Sequence, residues 1–444
     1  MGFWNRLKAG ASIARMLLRL PPAHCWFMFG QLRDSKKKWH NGRLRINSFL
    51  PPYPSRAFNR WCDHALHRRR VPLSAYMAVT SRCPCRCSHC SYAHRGYDDV
   101  SSERLAAAVR QVRELGACMI GFTGGEPLLR PDLAKLIASV SDDTATLLFT
   151  TGHRLDVERA KKLADAGLTT AVVSIESTDP DEHDAIRGHR GSFAGVQRAI
   201  EACHQAGVFT SFSTIAFADR IESGQLDRIY ELATAWGVGE MRVPNPVATG
   251  GIAGCSGSML DQQQMEYLRR IHKKYNDRKR DGGPTMASIA YMESDDLFGC
   301  GAAYHHMFVD DSGEVCPCDL TPLSFGNLHE RPLAEIWEEM GEYFPRPRCG
   351  CLMNEIGKRI PCNAQLPLLP SQSRSLVSAP TDDMPLPRAY QGLLTIPSKG
   401  TTCPQGKEGV CQTPAGSDEG PKDTPHLPAT YPVTTSDSES LPLH

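Results

Sequence analysis

Three cysteines, Cys83, Cys87 and Cys90, stand in the run Ser81-Arg-Cys-Pro-Cys-Arg-Cys-Ser-His-Cys-Ser91 with the spacing CxxxCxxC. Three thiolates on one short loop can hold three irons of a cubane 4Fe–4S cluster, whereas ferredoxin-type clusters use four cysteines. The fourth iron is then left for a substrate or cosubstrate, and electrons can be delivered there. A structural zinc site is the alternative, because zinc takes four ligands, commonly as two pairs. Cys85 could complete such a set, but four cysteines this close would be cramped around a tetrahedral ion. Arg82, Arg86 and His89 make the loop polar, which argues against simple buried thiols.

A second run, Phe122-Thr-Gly-Gly-Glu-Pro-Leu128, ends the next expected strand. Two glycines let a backbone come close to a ligand, and Glu126 offers an acceptor to an ammonium group. Alone, this run is an ordinary Gly-rich turn. One strand after CxxxCxxC, it resembles the radical S-adenosylmethionine (radical SAM) enzymes, over about residues 74–245 and more loosely to 362. The resemblance implies that Cys83, Cys87 and Cys90 bind a 4Fe–4S cluster whose open iron is chelated by SAM. His89 stands in the position before the third cysteine, often an aromatic near the adenine. Gly124, Gly125 and Glu126 match the motif that holds the SAM amino group. Ser174-Ile-Glu-Ser177, Glu182-His-Asp-Ala-Ile-Arg-Gly188 and Gly191-Ser-Phe193 look like a stretch of the subfamily acting on peptides and cofactor precursors. Ser174 then matches a SAM contact, and Glu176 stands where Asp is usual. Arg187 fits either the SAM carboxylate or a helix-start ion pair, and Asn245 could approach the adenosine. The implied chemistry is one-electron cleavage of SAM to methionine and a 5′-deoxyadenosyl radical that abstracts hydrogen from a substrate. It needs the low end of iron–sulfur potentials, which reach about −700 mV, and hence a ferredoxin- or flavodoxin-type electron donor. Cys85 departs from the usual motif, as an inert thiol or a wrong ligand during assembly.

The spacing CX12GX4C from Cys300 through Gly313 to Cys318 resembles the opening of twitch and SPASM auxiliary-cluster regions. Phe308–Val315 reads as a hairpin turning at Asp311-Ser-Gly313, and Phe325-Gly-Asn-Leu328 and Pro332-Leu-Ala-Glu-Ile-Trp337 are familiar from that region. Only Cys349, Cys351 and Cys362 follow, short of the full SPASM pattern. One auxiliary 4Fe–4S cluster is expected, on Cys300, Cys318, Cys349 or Cys351, and Cys362, with Cys316 able to substitute. A zinc knuckle is the alternative, and His305 and His306 read as ordinary polar residues.

The elements that must position these residues begin near residue 74, where short apolar runs alternate with helical stretches. Strands are expected at Tyr76–Val79, Met119–Phe122, Thr146–Phe149, Ala171–Ile175, Phe209–Ile215 and Glu240–Val243, with helices between them and a long helix over 259–279. Repeated strand–helix units imply parallel strands and right-handed crossovers. The fold class is α/β: a partial (β/α)6 TIM-like barrel over 74–250, then an auxiliary-cluster region over 251–365. From 366 to 444 the chain is rich in Pro, Ser, Thr and Gly and reads as disordered, which makes Cys403 and Cys411 poor candidates for a structural metal.

Residues 1–70 hold 15 Lys/Arg against 2 Asp/Glu, or +13, so the remainder carries about −12 of a total +1. Such asymmetry suggests a segment that meets an acidic surface. Residues 3–20 fit an amphipathic helix, followed by Trp26, Phe27 and Phe29. It suits either an anionic membrane surface or packing on the main domain. With no convincing signal peptide or membrane span, the 17 cysteines read as reduced and largely metal-bound, in a cytoplasmic protein with peripheral membrane contact through residues 3–20 as an option. Lys36–Lys38 and Arg68–Arg70 lack interleaved aromatics, so no nucleic-acid partner is expected. The expected substrate is a peptide or a small cofactor precursor such as a tetrapyrrole. A non-catalytic interaction protein with a remnant barrel is the competing class.

Overall fold

The computed structural model describes residues 21–67, 69–93, 95, 100–254, 259–277, 279, 282–361, 364–381, 384–391 and 394. The helix expected over 3–20 lies outside them, as do Cys362, Cys403 and Cys411.

A small hairpin, β1 (Lys38–His40) and β2 (Arg43–Arg45), precedes the main sheet. That sheet is built from β3 (Ser74–Ala78), β4 (Met119–Thr123), β5 (Ala145–Thr150), β6 (Thr170–Ser174), β7 (Phe209–Ser213), β8 (Glu240–Val243), β9 (Thr285–Ser288), β10 (His306–Val309) and β11 (Val315–Cys316). Its order is β11-β10-β3-β4-β5-β6-β7-β8-β9. Every pair from β10 across to β9 is parallel, and β11 alone runs antiparallel, to β10. Parallel strands need crossover connections, here supplied by helices. With helices over one face, these strands are buried as near-continuous runs, and Ile120, Phe122, Leu148 and Phe212 are fully buried. The order does not close on itself among the described residues, so the barrel is partial.

The six expected strands form the centre of the sheet. Two further parallel strands come from the region after residue 251. β10 belongs to the expected hairpin, closed by a turn in which Asp310 Oδ1 accepts from the Ser312 and Glu314 amides at 3.0 and 2.9 Å. β9 went unread because Thr-Met-Ala-Ser carries little β-branched or aromatic signal. The helices start where capping residues stand: Asp156 accepts from Arg159 N at 2.8 Å, Asp179 from Glu182 N at 2.9 Å, and Asp261 forms a capping box with Gln264.

Residues 45–60 of the basic segment lie across the N-terminal ends of the strands. Arg45 donates to Thr170 Oγ1 at 3.1 Å and to the Thr169 carbonyl at 3.0 Å. Arg56 meets Asp142 at 3.1 Å, and Arg60 meets Asp143 at 3.2 Å. The Ser48 amide donates to Glu240 at 2.6 Å. For these residues the acidic surface is the barrel's own lower rim.

The reading of the chain from 366 onward as disordered is corrected for its first part. Pro370–Leu376 is helical, and Leu366, Leu368, Val377 and Ala389 are buried. Leu368 bridges to Leu323, its amide donating to the Pro322 carbonyl at 2.9 Å. Average composition hid these few apolar anchors, spaced widely enough to leave the mean polar.

Candidate active site

The loop Ser81–Cys90 leaves the C-terminal end of β3 and is gripped by backbone on three sides. The Gly125 amide donates to Thr80 O, and the Glu126 amide to Arg82 O, both at 2.8 Å. A Cβ at Gly124 would strike the Thr80 carbonyl oxygen, and one at Gly125 the Arg82 carbonyl. Gly250 and Gly251 press on the other flank: the Gly251 amide donates to Cys90 O at 2.9 Å, and a Cβ there would strike Ser88 O. The third contact is the Arg86 amide donating to Arg187 O at 2.8 Å. The glycines therefore serve the approach of one loop to another. Gly250–Gly251 escaped the sequence reading, although Thr249-Gly-Gly-Ile252 repeats the double glycine seen at 124–125.

Glu126 is fully buried. Its carboxylate accepts from Leu128 N at 2.9 Å, Thr150 Oγ1 at 2.8 Å, Thr151 N at 2.7 Å and Thr151 Oγ1 at 2.6 Å. Burial raises its pKa, and these four donors oppose the shift. In this structure those oxygens are engaged by Leu128 and by the end of β5. Thr123, Gly124 and Gly125 line the cavity in front of it.

Glu176 is the hub of a buried charge cluster. Arg220 Nη1 lies 2.6 Å from it, Arg187 Nη2 3.1 Å and His89 Nε2 3.5 Å. Burial opposes ionisation, but Arg187, His89 and Arg220 outweigh it and hold the carboxyl well below its usual range. Arg187 also donates to Cys87 Sγ at 3.4 Å. It thus pairs with Glu176 while facing the cysteine loop. Arg220 was not singled out in the sequence, since its partner lies far back along the chain. The Cys85 thiol hydrogen-bonds Cys83 and Cys87, lowering both pKa values, while its own is raised.

A cavity of about 1260 Å³ is lined by Cys83, Cys87 and Cys90, and also by Cys300, Cys318 and Cys351. His89, Ser174, Arg187 and Asn245 face the same space. Asn245 Oδ1 is buried without a hydrogen-bond partner among the described residues. Two cysteines weighed for the auxiliary site, the substitute Cys316 and the alternative Cys349, fall elsewhere. Cys316 is fully buried and packs with Tyr76, Ala78 and Phe308. Cys349 donates to Pro385 O at 3.4 Å and does not line the cavity. His306 Nε2 lies 3.1 Å from Asp319 Oδ1, and with Cys318 the three potential ligand atoms lie within 4.8 Å of one another.

The donor chemistry fits an iron–sulfur cluster: three cysteines on one held loop, open to a cavity that contains an orphan acceptor for a ligand N–H. Family comparison agrees. Residues 77–232 match the radical SAM superfamily, and residues 300–351 match the iron–sulfur cluster-binding domain known as SPASM. The chain is 30% identical over 281 residues to the PqqA peptide cyclase of Streptomyces rochei, covering 60% of this chain and 76% of that protein. It is 26% identical over 290 residues to the AdoMet-dependent heme synthase of Nitratidesulfovibrio vulgaris, covering 60% and 78%. Streptococcus suis SuiB bound to S-adenosylmethionine superposes with a TM-score of 0.52 at 17% identity, over 67% of this chain and 79% of that one. Native anSMEcpe with bound AdoMet gives 0.51 at 17%, over 72% and 97%. These two likenesses show the shared fold. The chain belongs to the radical SAM superfamily, as an enzyme with a C-terminal SPASM-type region. Its 4Fe–4S cluster and SAM supply reductive C–S cleavage to a 5′-deoxyadenosyl radical, which abstracts hydrogen from the substrate. No helix among the described residues is long and apolar enough to cross a membrane.

Proposed function

We propose that Cys83, Cys87 and Cys90 hold the SAM-binding cluster, that Cys300, Cys318 and Cys351 hold one auxiliary cluster, and that a peptide segment is oxidised between them. The observation that carries this reading is the single cavity reached by both cysteine sets. At about 1260 Å³ it exceeds the roughly 300–1,000 Å³ of ordinary small-molecule pockets, as a chamber that must hold SAM and substrate between two cysteine sets requires. In this assignment 74–250 is the radical-forming core and 251–365 the auxiliary region. Backbone of Thr123–Gly125 takes the SAM ammonium, with Glu126 as the buttress behind it. Ser174 and Arg187 orient the methionine end, and Asn245 Oδ1 accepts from the adenine amine. His89, held by Glu176, borders the adenine. The protein orients these groups and excludes water.

A low-potential donor of the ferredoxin or flavodoxin type supplies the electron. The amphipathic pattern of 3–20, with Trp26 exposed on the helix that follows, supports peripheral contact with a membrane surface. A tetrapyrrole precursor is the second reading, favoured by the relationship to a heme synthase.

Hydrogen transfer tests the choice. Reconstituted protein is incubated with SAM, dithionite and deuterated cell extract separated into peptide and porphyrin fractions. Deuterium should enter 5′-deoxyadenosine from the peptide fraction. Label arising only from the porphyrin fraction contradicts the peptide reading.

A further inference from the structure

We propose that Arg242 anchors a carboxylate of the substrate at the lower end of the cavity. The inference rests on reading that cavity as the substrate chamber. Arg242 is the third residue of β8, only 5% exposed, and lines the same space as the three-cysteine loop. Its guanidinium lies 4.6 Å from the Phe49 ring centre and 5.3 Å from that of Phe149. Nη1 donates to Ser48 Oγ at 2.8 Å and Nη2 to Tyr76 Oη at 3.3 Å. The buried Nε has no partner among the described residues.

All of these acceptors are neutral. Among the described residues no carboxylate comes within ion-pair distance of Arg242; of the three nearby, Glu240 and Asp319 are committed elsewhere, and Glu293, on the same cavity wall, is held toward its neutral form by burial, its pKa pushed up to about 7. Glu240 accepts from the Ser48 amide at 2.6 Å and from Ser211 Oγ at 3.2 Å. Asp319 lies with His306 Nε2 at 3.1 Å and Cys318 Sγ at 3.4 Å. Buried charges are normally paired. Aromatic faces ease the desolvation of a guanidinium but bring no anion. The planar fork of N–H groups matches a carboxylate in two-point contact, which a lysine cannot reproduce.

The position also sets a distance. Arg242 lies in β8 and Asn245 two residues past its end, so their Cα atoms are at most about 11 Å apart. A carboxylate held at Arg242 leaves that span for the rest of the substrate to reach the adenosine end. An Asp or Glu side chain of a peptide meets this requirement, and so does a propionate arm of a tetrapyrrole. The shared chemistry is a carboxylate on a short aliphatic arm.

Equilibrium dialysis of the reconstituted, SAM-loaded full chain tests this without turnover, so a failure of SAM cleavage leaves it readable. The probes are acetyl-Ala-Glu-Ala-amide against its Gln twin, and coproporphyrin against its tetra-amide. In one pair the carboxylate member should bind about ten-fold tighter, equivalent to ~1.4 kcal/mol. The pair that shows the preference identifies the source. Arg242→Gln should abolish the preference while the neutral twin still binds. If Arg242→Gln does not fold, Arg242→Lys keeps the charge without the fork and should cut the preference by at least half. Equal binding within both pairs by the wild type overturns the proposal, as does a preference that survives Arg242→Gln or is undiminished in Arg242→Lys.

Discussion

A carboxylate that accepts four hydrogen bonds in a fully buried site has no lone-pair direction left for a ligand. Glu126 is such a group, and its residue type alone suggested a different role. Three of its four donors come from Thr150 and Thr151 at the end of the next strand, where neither spacing nor motif links them to it. Glu126→Gln replaces one acceptor oxygen by an amide NH2 that faces donors. Leaving buried donors unmet costs about 1–3 kcal/mol each, so unfolding in urea should move to lower concentration by an amount equivalent to about 2–3 kcal/mol. An unchanged midpoint would contradict the buttress role. The cysteines were legible at this scale because three thiols at fixed spacing have few other uses. Arg187 was legible as two alternatives, and the structure adds what chain order hides, namely that Glu176 collects Arg187, Arg220 and His89 into one cluster.

At the scale of elements, the central strands and the longer helix of each crossover were readable from period, caps and terminal glycines, whereas the helices Pro22–Asp34, Arg56–His67 and Pro180–Arg187 were not. What else escaped was whatever depends on pairing partners: β9, short and weakly apolar, and the docking of Leu366 and Leu368. The loop-on-loop grip of Gly125 and Gly251 was hidden for the same reason. Gly251→Ala would drive a Cβ into the Ser88 carbonyl and displace the segment carrying Cys90. Iron at the three-cysteine loop should fall to less than half that of wild type, read by electron paramagnetic resonance of the reduced protein; full occupancy would contradict the grip. The helix Gln262–Asn276 carries a separate expectation. His272 is buried, stacks 4.0 Å from Tyr291, and is pushed down to about 3 by burial, from 6.5. Its folded pKa lies below its unfolded one, so the unfolded chain takes up a proton first as pH falls below 6.5. The neutral ring's contribution is whole above that pH and lost as pH falls toward 3. Between pH 6.5 and 5 this single group should remove about 2 kcal/mol of stability. Denaturation across that window should show a shallower slope for His272→Gln, and an identical slope would sink the assignment.

At the scale of the whole molecule, charge asymmetry and cysteine placement become one arrangement. Residues 45–60 of the basic segment close over the lower rim through Arg45, Arg56 and Arg60, while the cysteine loop and the SPASM-type region open onto a common interior. Composition could indicate an acidic partner surface, but not that the surface belongs to the same chain. The measurement that bears most directly on the account is product formation by anaerobically reconstituted protein given SAM and dithionite. Wild type should release 5′-deoxyadenosine and methionine in equal amounts, and Cys87→Ala should release neither. Product from Cys87→Ala at the wild-type rate, or none from an iron-loaded wild type, would contradict a SAM-cleaving cluster on Cys83, Cys87 and Cys90.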